Sequence, residues 1–338
     1  MATKPYFMLI AIFLLLLTFT ALNVSAESTS CGEETSSCHN KAEALKMKYI
    51  AIASILVMSM IGVCLPVYSN KVKAFQPDTN LFVIVKAFAS GVILATGYMH
   101  VLPDSFYNLT SQCLPQKPWR NFPFTTFVAM LSAVMCMMID SFSMSRYRKY
   151  FIRATRSDGE VSREMKIEEG FITKEEQLMR HRVVAKVLET GIVVHSVVIG
   201  LSMGSSQNPR TIRPLIAAIC FHQLFEGMGL GGCILQAEFK SKMKLIMVFF
   251  FSCTTPFGIA LGIALNSTVY SDTSPKSLIV EGLLNACSAG LLNYMALVDL
   301  LAADFMGSKL QANMKLQVWS YIAVLLGAGG MSVMAIWA

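Results

Sequence analysis

Apolar residues along this chain fall into unbroken blocks, not into the alternation of a strand or the spaced stripe of a surface helix. After a first block at the N-terminus, eight more follow, each about 20 residues, the length that crosses a bilayer as a helix. They cover residues 48–69, 81–102, 124–144, 183–204, 213–235, 243–265, 278–302 and 317–337. Backbone in lipid must satisfy its own hydrogen bonds within the segment, so the pattern predicts an all-α membrane protein with eight transmembrane helices. Most connections are short. The exception is residues 145–182, between the third and fourth spans.

The first block, "FMLIAIFLLLLTFTALNVSA", has Lys4 before it and ends in the small-residue pattern Val24-Ser25-Ala26. It reads as a secretory signal peptide over 1–26, cleaved after Ala26, which leaves an extracytosolic tail at 27–47. Spans one to three then occupy 48–144, and spans four to eight lie within 183–338. The 145–182 segment holds ten Lys and Arg, among them Arg146, Arg148, Lys149, Arg180 and Arg182. Basic loops stay on the cytosolic side, so this segment is expected there, and an even number of spans puts both chain ends on the other side.

Composition supports the membrane assignment. Hydrophobic residues make up 54% of the 338 and charged residues 14%, against about 25% charged in soluble domains. The net charge of +7 sits largely in the basic segment and reads as topology, so nucleic acid is not an expected partner. Of nine cysteines, Cys31 and Cys38 lie in the outer tail, where they can pair with each other or with Cys113. The other six fall inside spans without CxxC spacing and read as small packing residues. No Walker-type glycine loop is present, which removes the ATP-driven pump from consideration. The sequons at Asn108 and Asn266 both lie close to a membrane edge, a poor position for glycosylation.

What changes the picture is polarity where lipid is expected. In "CFHQLFEGMGLGG" of span five, His222 and Glu226 stand four residues apart and share a helix face. Span four carries His195 and Ser196, and span two ends in "MHVLPDSF", where His100 and Asp104 repeat the i, i+4 spacing. A carboxylate at the centre of a membrane helix costs about 2.5–3.5 kcal/mol on insertion scales, so such residues mark a site or a pathway. Neutral imidazole nitrogen with carboxylate oxygen suits zinc, iron, manganese or cobalt. A lone membrane histidine is more often a hydrogen-bonding core residue. Here three of five histidines lie in or at the ends of spans, two of them with an acid at i+4, and that concentration favours metal. Gly200 and Gly204, and Gly227 and Gly231, have the spacing that lets helices approach closely, which suggests that spans four and five pack together. Pro256 can kink span six. Lys186, Glu189, Asp140 and Asp299 read as structural or interfacial.

Taken as a set, "HSVVIGLSMG", "FHQLFEGMGLGGCILQAEF", "ATGYMHVLPDSF", "TTPFGIALGIAL" and "LLNACSAGLLNYMALVDLLAADF" closely resemble the plant branch of the ZIP family, the zinc/iron-regulated transporter-like proteins. The resemblance covers nearly all of the mature chain and is weakest in the tail and the basic segment. It implies an eight-helix transporter that moves divalent metal into the cytosol, with metal bound between helices four and five. By position it implies His195, His222 and Glu226 as the principal ligands, with Ser196 and Gln223 where members with a two-metal centre hold second-site ligands. The chain departs from that centre: Ile199 stands where a carboxylate follows the span-four histidine, Gln223 where others have an acid, and span six offers Ser252, Cys253, Thr254 and Thr255 but no carboxylate. The basic segment holds only His181 in place of a histidine repeat.

The expected function is therefore transport of Zn2+ or Fe2+, other divalent metals remaining open, with His100 and Asp104 as an entry or gating pair. The metal is cargo, and no cofactor or catalytic residue is expected. Expected partners are divalent ions and the bilayer, with a homodimer admissible, and the expected location is the plasma membrane. The alternatives are an intramembrane zinc hydrolase, which would want a water and a general base beside fixed ligands, and a metal-sensing receptor without flux. The fifth-span pattern His-Gln-Leu-Phe-Glu is not HExxH.

Overall fold

A computed structural model of the chain describes residues 41–68, 79–157, 165–266 and 275–336. The leader and most of the outer tail read from the sequence lie outside them. Eight long helices account for nearly all of it: α1 (Lys41–Tyr68), α2 (Asn80–Leu109), α3 (Phe124–Ser157), α4 (Met165–Ser205), α5 (Pro209–Gln236), α6 (Ser241–Asn266), α7 (Pro275–Phe305) and α8 (Met314–Met334). Each contains one of the eight spans.

Two boundaries differ from the hydropathy pattern. Span two continues to Leu109, because a π-helical stretch, Thr96–Val101, lies just ahead of Pro103. A proline in a helix removes one backbone hydrogen bond and crowds the preceding turn, and the wider π turn absorbs both. The basic segment is also mostly helix: α3 runs on to Ser157 and α4 starts at Met165. Helix α6 continues unbroken through Pro256, and Thr254 donates its hydroxyl to the carbonyl of Phe250 one turn back.

The helices pack as pairs: α1 with α5, α4 with α6, α2 with α8, α3 with α7. Helices α4 and α5 are central, with 72% of each apolar stretch buried against 22% for α3. The glycine spacings work differently from the sequence expectation. Gly200 and Gly204 of α4 face α6, where a Cβ on Gly200 would lie 2.6 Å from the Thr255 carbonyl oxygen and one on Gly204 would lie 2.8 Å from the Gly262 Cα. Gly227 and Gly231 of α5 face Val63 of α1. The small-residue stripes therefore do not join α4 to α5. The reason is angular: at 100° per residue, Gly200 lies about 140° around α4 from His195, as Gly227 does around α5 from His222. Each helix turns its glycines outward to a partner and its histidine inward.

At the end that bears the basic segment, Lys86 of α2 is buried and donates to Asp304 Oδ1 of α7 at 2.9 Å and to Gln236 Oε1 of α5 at 3.1 Å. Arg182 of α4 donates to the Ala237 carbonyl at 3.0 Å. These bonds tie four helices together, α2, α4, α5 and α7. Removing one partner of such a group leaves the others with unmet hydrogen bonds, at about 1–3 kcal/mol, less where Asp304 still reaches solvent. Lys86→Met is therefore expected to lower the melting midpoint of the detergent-solubilised protein by several degrees, and Asp304→Asn by less. An unchanged midpoint for Lys86→Met would show that the bonds contribute nothing net.

Of the cysteines, Cys113 is disulfide-bonded, and Cys31 and Cys38 lie outside the described residues. The six span cysteines are free. Asn108 is buried within α2, which leaves its sequon no room for a glycan; the Asn266 sequon runs past the described residues.

Candidate metal-transport site

The site is assembled from the inward faces of α4 and α5 with the π-helical part of α2. His195 and His222 are 2% and 0% exposed, and their ring centroids stand 5.8 Å apart. His100 completes a triangle, 6.1 Å from His195 and 5.9 Å from His222. Two imidazoles on one tetrahedral zinc, with nitrogens about 2.0–2.1 Å from the metal, would have centroids about 5 Å apart. The observed pair is wider by less than an ångström, a gap that side-chain rotation closes. Among the described residues no three His, Cys, Asp or Glu groups stand close enough together to hold a metal ion between them as they are.

Hydrogen bonding distinguishes these residues from ordinary core polar groups. Both nitrogens of His195 and of His222, both carboxylate oxygens of Glu226, the Ser196 hydroxyl and both amide atoms of Gln223 are buried with no hydrogen-bond partner among the described residues. Buried polar groups in folded proteins are almost always paired, and leaving one unpaired costs about 1–3 kcal/mol. The Ser252 and Thr255 hydroxyls of α6 are in the same condition. These unmet donors and acceptors lie on three helices, α4, α5 and α6, and nitrogen with carboxylate oxygen is a donor set that a borderline dication accepts.

Of the residues the sequence singled out, His195 and His222 stand ring to ring across α4 and α5, Glu226 is buried one turn along α5 from His222, and Ser196 and Gln223 are buried next to the two histidines in sequence. His100 and Asp104 line one cavity but differ in burial. Asp104 is exposed, whereas His100 is 6% exposed and stands against the other two rings. The π stretch lets Gly97 of α2 lie against Asn293 of α7, where a Cβ would overlap the asparagine Oδ1, and it carries His100 into the bundle.

A cavity of about 370 Å³ leads from Ser111, Cys113 and Ser206, at the end away from the basic segment, down to His195. His100 and Asp104 line it, and so do Asn108, Glu281 and Asn285. The last two went unnoticed in the sequence, although Glu281 lies inside the apolar run of span seven and met the same criterion as Glu226. Lys86 was missed in the same way. Asp140 and Asp299, read as structural or interfacial, each have a buried Oδ1 with no hydrogen-bond partner among the described residues.

An eight-helix membrane bundle with buried, unpaired histidine and carboxylate atoms on its central helices, and a cavity that reaches one of those histidines, has the architecture of a membrane transporter. The family model described as "ZIP Zinc transporter" matches residues 45–335. Among relatives, the chain is 59% identical to "Fe(2+) transport protein 1" of Oryza sativa subsp. japonica over 89% of this chain and 86% of that one. It is 55% identical to "Fe(2+) transport protein 1" of Arabidopsis thaliana over 100% of both chains, and 53% identical to "Zinc transporter 7" of the same plant over 99% of both. The chain belongs to the ZIP zinc transporter family. It is a multi-pass membrane metal transporter and not an enzyme, and the hydrolase alternative finds no support.

Proposed function

We propose that the protein carries Zn2+ or Fe2+ into the cytosol through a site made by His195, His222 and Glu226. Ser196 and Gln223 supply neutral oxygens, and His100 and Asp104 control entry. The observation that supports this most directly is the set of buried, unpartnered nitrogens and oxygens on those three ligands. A transport site must replace hydration well enough to admit the ion and weakly enough to release it. Two neutral imidazoles and one carboxylate fit that balance better than a cage of acids. Relatives named for Fe(2+) and for zinc both exceed half identity, at 59% and 53%, so both metals are assigned as cargo. The test is initial-rate uptake of labelled zinc in cells, with iron, manganese, cobalt and cadmium as competitors. Saturable accumulation, with iron among the strongest competitors, is expected. Binding at the cell surface without accumulation would overturn transport.

The direction follows from the basic segment. With 145–182 in the cytosol, the cavity mouth at Ser111 and Ser206 faces away from it, and the leader read at 1–26 admits the protein to the secretory route, whose plasma membrane is the location proposed ahead of an internal membrane. A tag placed after Ala338 is then expected to bind antibody on intact cells. Binding only after permeabilisation, with protease on intact cells sparing the tag, would reverse the orientation or move the protein to an internal membrane.

A further inference from the structure

The cavity above the metal site carries two carboxylates, one on each of two helices. Asp104 comes from α2 and Glu281 from α7, and its described lining contains no Lys or Arg. The two turns that bear them are locked in register. Ser105 donates to the Gly282 carbonyl at 2.7 Å and lies 3.1 Å from the Thr125 hydroxyl of α3. Gly282 permits that approach, since a Cβ there would meet Leu109 Cδ2 at 2.8 Å. The residues immediately before this contact on the two helices are Asp104 and Glu281. Asn285, one turn on from Glu281, adds an amide to the same wall. The floor of the cavity is His195, 2% exposed, with both nitrogens lacking a hydrogen-bond partner among the described residues.

We propose that Asp104 and Glu281, with Asn285, form an outer waiting site for a hydrated divalent cation, used before the ion reaches His195. The inference rests on the transport site proposed above and adds Glu281 to it as a determinant of apparent affinity. The chemistry of the two levels differs. Below, imidazole nitrogens replace water directly. Above, carboxylate and amide oxygens accept hydrogen bonds from the ion's own water shell, while two negative charges balance the dication. A cleft of one sign with low-dielectric walls raises the local concentration of the opposite ion, by about tenfold or more. Because the Ser105–Gly282 contact joins the two turns, the site is assembled before the ion arrives.

The test is zinc uptake as a function of concentration, normalised to protein at the membrane, for Glu281→Gln, Asp104→Asn, the double variant and Glu226→Gln. Glu281→Gln is expected to raise KM about five- to tenfold, within the range of such focusing, and to leave the maximal rate within about twofold. If the two carboxylates hold one ion together, the double variant raises KM little beyond the worse single variant. An unchanged KM for Glu281→Gln, or KM increases that simply multiply in the double variant, overturns the shared site. Should Glu281→Gln not reach the membrane, Asn285→Leu and Glu281→Asp decide instead. The first is expected to raise KM two- to threefold, and the second, which keeps the charge, to stay near wild type. Wild-type KM in Asn285→Leu, or a KM in Glu281→Asp raised as far as in Asp104→Asn, counts against the site. Glu226→Gln separates the two levels, because a normal maximal rate in that variant removes the transport site itself, whatever Glu281 does.

Discussion

Glu226→Gln is expected to abolish zinc uptake while the protein still reaches the membrane. Among the three proposed ligands only Glu226 brings formal negative charge, and it is completely buried. At about 4 Å and an effective dielectric near 20, a unit charge pair contributes about 4 kcal/mol, and the cargo carries two charges. Glutamine keeps the shape and one oxygen donor but none of that attraction, so occupancy falls by about three orders of magnitude or more at a given metal concentration. His195→Ala and His222→Ala are expected to be comparably severe, each removing a direct ligand. Gln223 is the contrast. It is as buried as Glu226, and both of its amide atoms are unpartnered. Gln223→Ala removes unmet polar atoms without changing the charge of the site, so folding is unharmed and substantial flux remains. Gln223→Glu adds a second charge, tightens binding and slows release. Initial rates per molecule at the membrane decide the matter. If Glu226→Gln transports normally and Gln223→Ala is dead, the ligand assignment is wrong.

Much of this was legible in the sequence, for a definite reason. In a bilayer the rule that apolar residues go inside loses its force, and a polar residue within a span becomes the informative one. His195, His222 and Glu226 stand out against apolar neighbours on that ground alone. Helix ends and helix partners were less legible. Hydropathy sees lipid-facing length, so it stopped span two at 102 and passed over the polar helical extensions of α3 and α4. Glycine spacing announces a close approach but carries no address, and the addresses proved to be α6 and α1. His100 was visible as a residue, but its place beside His195 depends on the π stretch, where one extra residue in a turn rotates the remainder of the helix by about 100°. Glu281 needed only to be weighed as Glu226 was. Its meaning, however, lies in sharing a cavity with Asp104, and nothing in one chain position reports on another 177 residues away.

The same geometry makes Gly200 a position where a small change does structural harm close to the proposed ligands. A Cβ there would stand 2.6 Å from the Thr255 carbonyl oxygen, 2.9 Å from the Gly258 Cα and 3.0 Å from the Ile259 nitrogen. All three are backbone atoms, so no side chain can rotate away, and the whole of α6 must retreat from α4. Overpacking of this kind costs about 1–3 kcal/mol when the surroundings can yield, and more when they are helix backbone. Gly200→Ala is therefore expected to reduce the amount of monodisperse protein recovered in detergent, and Gly200→Leu to leave almost none. The proper control lies in α8, where a Cβ on Gly329 meets nothing within 4 Å. Gly329→Ala should be neutral or slightly stabilising, since alanine is favoured over glycine in a helix interior by about 1 kcal/mol. Activity is expected to fall faster than abundance along this series. Gly200 lies one turn from Ser196 and five residues from His195, so a shift of α4 by an ångström also moves the proposed ligands, and a misplacement of that size costs about a hundredfold in rate. Uptake per surviving Gly200→Ala molecule should then lie well below wild type. If those molecules transport normally, the α4–α6 contact holds the fold together without positioning the metal site.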